Sequence, residues 1–171
     1  MASSFQGAIN NIGIIVPAAE SQRAQYNQIY SRHGHRIYSL AFWMTDHELT
    51  AEQLTSNTFL RAFAYTANPS IEQIDQAFLD EIREFMPFGV LTLNCVVSPQ
   101  TKSVRGKVKR VHLERALVQL PATEKLIFLF HDLEGYGHER IGRLLGIDEH
   151  ASQLGLHQAR ICIREAVSQM S

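Results

Sequence analysis

The sequence is poor in several features that would commit it early to a function. It has two cysteines, five prolines, one tryptophan and a formal net charge of −1 over 171 residues. Cys95 and Cys162 stand far apart and fit no zinc or redox spacing, so they read as reduced thiols of a cytosolic protein. Long apolar runs are missing: residues 12–16 are apolar, but no Lys or Arg precedes them before Arg23. A signal peptide needs a basic start, and a membrane span needs about 20 apolar residues. Neither is expected, and a cytoplasmic location follows. There is no Gly-rich phosphate loop, nucleophile elbow or carboxylate pair, so nothing points to an enzyme or a cofactor. Eight histidines invite a metal. Yet His33 and His35 cannot share a helix face, and His131 and His138 flank a turn with no carboxylate or thiol at ligand spacing. No metal is expected.

Charge is scarce overall but unevenly placed. Residues 1–87 carry nine acids and five bases, residues 88–171 eight acids and eleven bases. Five of those bases form one run, Lys102, Arg105, Lys107, Lys109 and Arg110. That run lies in residues 98–110, which lack periodicity and contain Pro99 and Gly106, the marks of a linker.

What the chain does have is spacing of three and four, which predicts an all-α protein. Tyr26, Ile29, Tyr30, His33, Ile37, Leu40, Ala41 and Met44 mark a long helix from about Pro17, with Gly34 a weak point of about 1 kcal/mol relative to Ala. Thr50, with Gln53 as its reciprocal partner, predicts the cap of a second helix. Its inward side carries Ala51, Leu54, Thr58, Ala62 and Tyr65, widened by Phe59 and Phe63. Asn68, Pro69 and Ser70 introduce a third helix through Ile71, Ile74, Phe78, Ile82 and Phe85, stopped by Pro87. Residues 88–97 are apolar and read as a buried helix in preference to a strand. Beyond the linker, Leu113, Ala116, Leu117 and Leu120 form a short helix. Pro121 resets the chain for another through Ile127, Phe130 and Leu133. A one-sided helix over residues 138–145, a break at Gly146 and Ile147, and a longer helix with Leu156, Ala159, Ile163 and Val167 follow. A short helix, a glycine turn and a longer helix are how a chain presents one helix to a DNA major groove.

These residues resemble the extracytoplasmic-function (ECF) group of sigma-70 RNA polymerase sigma factors. The resemblance rests most on Leu120-Pro121, Glu134-Gly135-Tyr136, Ile141, Leu144 to Ile147, and Leu156 to Arg160. Weaker support comes from residues 26–41, from residues 51–54 and from residues 58–63. It covers roughly residues 20–65 and 113–167 and implies two small helical domains, residues 17–97 and 111–168, joined by residues 98–110. It implies core RNA polymerase and promoter DNA as partners, with an anti-sigma factor as a further one. The outward face of the second helix, Gln53, Ser56, Asn57, Leu60 and Arg61, would dock on polymerase. His150, Gln153, His157, Arg160 and Arg164 would face DNA phosphates or base edges.

The sequence also departs from the family. The Lys and Arg usual early in the recognition helix are replaced by Gln153 and Gly155, a usual apolar core position is Ser152, and Leu154 points outward. Residues 71–86 carry Glu72, Asp75, Asp80, Glu81 and Glu84 against Arg83, a charge that would repel a phosphate backbone. The family's promoter-strand pattern is reduced to Leu91 and Asn94, with Phe88 nearby. The departures leave a second reading open: a sigma-like interaction protein that titrates an anti-sigma factor or occupies the polymerase clamp. A plain helix-turn-helix regulator is a third, which leaves residues 51–63 unused.

Overall fold

The computed structural model describes residues 12–95 and 109–170, with side chains from residue 19 onward. Among the described residues the chain forms seven α-helices and no strand. They are α1 (Ile12–Thr45), α2 (Glu48–Tyr65), α3 (Ile71–Phe85), α4 (Arg110–Val118), α5 (Ala122–Phe128), α6 (His138–Leu145) and α7 (Glu149–Met170), with a π-helical turn at Leu129–Leu133 continuing α5. No described helix is long and apolar enough to cross a membrane.

The long first helix exists, but Pro17 lies inside it and not in its first turn. Its stripe buries Ile37, Leu40, Ala41 and Met44. The second helix starts three residues earlier than its expected cap implies, because His47 and not Thr50 is the N-cap. The His47 Nδ1 accepts from Thr50 N–H at 3.3 Å, so a ring nitrogen does the work usually given to a hydroxyl. Ala51, Leu54, Thr58 and Ala62 are buried as the spacing predicts, but Tyr65 closes the last turn of α2 and is 84% exposed. The Ser70 cap of α3 is complete: Gln73 N–H donates to Ser70 Oγ, and Ser70 N–H donates to Gln73 Oε1.

Two expectations from charge and spacing are corrected here. The acids of α3 do not form a repelling surface. Asp75 is fully buried against Arg36 and Arg140, and Glu81 and Glu84 both accept from Arg61. Asp80 faces Arg83 at 3.5 Å. Residues 88–95 are neither helix nor strand. They run as a strap over α5 and α7, and their N–H groups find side-chain acceptors there, which meets the demand that a helix would have met internally.

A third correction concerns the thiols. Cys95 and Cys162 are joined by a disulfide across 67 residues, with Cα atoms 6.5 Å apart. Distance in sequence hid a contact that the strap creates.

Of the linker, residues 98–108 lie outside the described residues, and Lys102, Arg105 and Lys107 with them. Lys109 is the N-cap of α4 and Arg110 its first residue. In the C-terminal half, Ala116, Leu117, Leu120, Ile127, Phe130, Leu156, Ala159, Ile163 and Val167 are buried, whereas Leu113 and Leu133 are exposed. Helices α1 to α3 pack on one another, as do α4 to α7, and the groups meet where α3 touches α6 and where α1 touches α4 and α5. The buried apolar residues form one continuous cluster from Ile37 to Val167.

Candidate functional site

The helix-turn-helix is set by close backbone packing. A Cβ on Gly142 would lie 2.7 Å from the Ile147 carbonyl, so only glycine lets the turn fold back on α6. Gly146 ends that helix in the left-handed region at φ 73°, and its N–H and that of Ile147 both donate to the Gly142 carbonyl. Asp148 Oδ1 then accepts from Ala151 N–H at 2.7 Å and opens α7. Ser152 occupies its core position by pairing its hydroxyl with His138 Nδ1 at 3.0 Å, which satisfies a polar group that is otherwise fully buried.

This geometry leaves His150, Gln153, Leu154 and His157 exposed along the first turns of α7, with Arg160 and Arg164 exposed further on. Five residues expected to face DNA therefore share one helix and all reach solvent. Arg160 is not a free cation, since it donates to both oxygens of Asp132, at 2.6 and 3.2 Å. Gly155 is the surprise. It is buried, and a Cβ there would meet Ile127 Cδ1 at 2.5 Å and Leu91 Cδ2 at 2.8 Å. Its role is to admit the strap, which no spacing rule would have signalled. Leu91 and Asn94, read in sequence as remnants of a strand-binding pattern, belong to that strap.

On α2, Gln53 and Ser56 are exposed, Asn57 is half-buried and Leu60 is 61% exposed; Leu49 at 70% extends the apolar part of this face. Arg61 is engaged elsewhere. Its Nε donates to Glu81 and its Nη2 to Glu84, which fastens α2 to α3.

The groups are joined by residues that sequence reasoning did not connect. Asp75 Oδ1 accepts from Arg36 at 2.6 Å, while its Oδ2 accepts from the Tyr136 hydroxyl at 2.7 Å and from Arg140 at 3.0 Å. Arg36 also donates to Glu134 at 3.2 Å, and the Arg140 guanidinium lies 3.7 Å from the Tyr136 ring centroid. Burial, then the hydrogen bond to Asp75, pushes the Tyr136 phenol well above its ordinary value, so it stays a donor. Glu134, Gly135 and Tyr136 were visible as a motif, but nothing local tied them to Asp75.

Comparison with known proteins agrees with this geometry. Residues 110–163 match the family model for Sigma-70, region 4. The helix-turn-helix part is thus similar to sigma-70 region 4. Over 161 residues the chain is 23% identical to the ECF RNA polymerase sigma factor SigE of Mycolicibacterium smegmatis, covering 85% of this chain and 63% of that protein. The chain thus spans less than two thirds of that relative's length. Among solved structures, its fold is similar to the sigma factor RpoE in complex with the anti-sigma factor NepR from Bartonella quintana. There the TM-score is 0.62 at 15% identity, over 82% of this chain and 95% of that one. The chain therefore carries a match to the sigma-70 family in its C-terminal third and is similar, along most of its length, to an ECF sigma factor.

Proposed function

We propose that the protein binds core RNA polymerase and directs transcription initiation at promoter DNA. The observation that carries this is the intact helix-turn-helix, whose outward face on α7 holds His150, Gln153, Leu154 and His157 clear of the core. Residues 111–168 take the DNA-binding part and residues 17–97 the polymerase-docking part, with residues 98–110 between them. The exposed leucines of α2, Leu49 and Leu60, support the docking face. Few cations line α7 and Arg160 already has a carboxylate, so DNA affinity is low for this family and depends weakly on salt.

Run-off transcription with purified core polymerase on genomic fragments tests this reading directly. Asn57→Glu and Leu60→Asp should weaken capture of core polymerase without lowering the melting temperature. Gln153→Lys should raise affinity for a transcribed fragment and steepen the log–log salt dependence by about 0.9 for one added phosphate contact. Unchanged capture and unchanged slope would remove both assigned faces.

A second reading is favoured by the strap, which covers one side of α7 at Gly155. In it the chain keeps the fold and its protein-binding faces and titrates an anti-sigma factor or occupies the polymerase clamp. That reading predicts capture of core polymerase or of an anti-sigma factor with no run-off product from any fragment.

A further inference from the structure

Residues 88–95 are held on the helix-turn-helix unit by contacts of several kinds. Gly89 N–H donates to Thr123 Oγ1 at 3.1 Å, and the Thr123 hydroxyl donates to the Val90 carbonyl at 2.8 Å. Thr92 and Leu93 N–H both donate to Oε1 of the buried Glu124, at 2.6 and 2.7 Å. Leu91 lies over Gly155, and Cys95 N–H donates to Gln158 Oε1 at 2.6 Å. The last attachment is covalent, from Cys95 to Cys162 on α7. We propose that Cys95 and Cys162 form a redox-controlled clasp that determines whether this strap stays on α7.

The non-covalent attachments can each be exchanged for water. With the disulfide formed, a strap that lifts is returned at once, because its end cannot diffuse away. With the disulfide reduced, the same end is tethered only through the intervening chain, and every opening lasts longer. Gly155 and Gln158 are then uncovered. The chemistry balances with a low-molecular-weight disulfide such as oxidised glutathione. The two thiols of the protein give up two protons and two electrons, through a mixed disulfide, and the reagent leaves as two thiols. A dithiol reverses the step. Cys95 and Cys162 are both half-buried, so each retains contact with solvent.

The test uses the full chain, equilibrated in parallel with oxidised glutathione and with dithiothreitol. Alkylation and peptide mapping should find one disulfide between Cys95 and Cys162 in the first sample and two alkylated thiols in the second. Amide exchange at Thr92, Leu93 and Cys95 should be about ten-fold faster after reduction, with α2 amides unchanged. Cys95→Ser and Cys162→Ser, kept in oxidant, should each match the reduced wild type and ignore the reductant. Both thiols remaining alkylatable in oxidant, or equal exchange in the two states, would overturn the clasp. These readouts do not depend on sigma-factor activity. A redox-dependent strap with run-off transcription absent in both states would uphold the clasp and reject the proposed initiation function.

Discussion

Two junctions hold the halves of this molecule together, and they are made of opposite materials. At one, a buried carboxylate, two guanidiniums and a phenol meet around Asp75, joining α1 and α3 to the turn before α6. At the other, a strap lies over α5 and α7 and is held by backbone N–H groups, one leucine and a disulfide. A buried charge network works only when complete, because each missing partner leaves another charge desolvated. A strap held through its own backbone tolerates changes in most of its side chains, but not in the surface it lies on. The first junction is brittle at its centre and the second at its seat.

The centre of the charge network should give the largest effect. Asp75→Ala leaves the half-buried Arg36 and Arg140 without their shared acceptor and should cost about 3–5 kcal/mol in urea unfolding. A loss below about 1 kcal/mol would mean that the Asp75 cluster does not hold the halves together. Gly155→Arg should come next, at about 1–3 kcal/mol, since the new side chain must displace Leu91 and press on the fully buried Ile127. Gly155→Ala is the sharper control. Its helix-propensity gain of up to about 1 kcal/mol offsets much of the cost of shifting two side-chain ends. The arginine variant should therefore speed amide exchange at Thr92 and Leu93 while the alanine variant leaves it nearly unchanged. Equal exchange in both would show that Gly155 is not the seat of the strap.

A third variant probes the network without emptying it. Tyr136→Phe removes one hydrogen bond to Asp75 but keeps the ring under Arg140 and against Phe130, at 5.5 Å between centroids. Asp75 keeps both guanidiniums, so the cost should be about 1–1.5 kcal/mol, well below that of Asp75→Ala. A loss as large as that of Asp75→Ala would make the phenol, and not the charges, the organising group.

The contrast between the junctions also explains what could be read from sequence. Helical spacing is a local signal, and it located the stripe from Ile37 to Met44, the Ser70 cap and the turn at Gly146. The helix-turn-helix was legible because Ile141, Leu145, Leu156 and Ala159 repeat over a short distance. His47 escaped because a histidine cap has no strong propensity to announce it. The acids of α3 were counted correctly, but their meaning changed once Arg36, Arg61 and Arg140 arrived from other helices. Residues 88–95 carry the apolar content of a core segment, and only the tertiary fold shows that this content covers α7 instead of forming an element of its own. Gly155 looked like a lost arginine and a weakened helix. Its true constraint is the methyl groups of Ile127 and Leu91, which come from 28 and 64 positions away in sequence.

The smallest expected effect lies behind α7 and is read through pH. His138 shares Nδ1 with the Ser152 hydroxyl and stacks on His131 at 4.7 Å. Burial lowers its proton affinity below the ordinary histidine value near 6.5, and the neighbouring His131 and Arg160 lower it further, against the opposing pull of Glu149 and Asp132. Above about pH 6.5 both folded and unfolded chains hold this ring neutral, and its contribution to stability is complete. As the pH falls below that value the unfolded chain takes up the proton first, so stability is lost until the folded ring is protonated too. The urea midpoint should therefore fall between about pH 7.5 and about pH 5 in the wild type, and fall less in His138→Gln, which keeps a polar group for Ser152. His33 is lowered as well, by burial and then by Arg36, and remains in both proteins as a residual slope. The Asp75 junction should not share this dependence, because the Tyr136 phenol and the Arg36 guanidinium, both raised above their ordinary values, stay protonated across the range. Parallel pH profiles for wild type and His138→Gln would show that the ring behind α7 is not a titrating support of the helix.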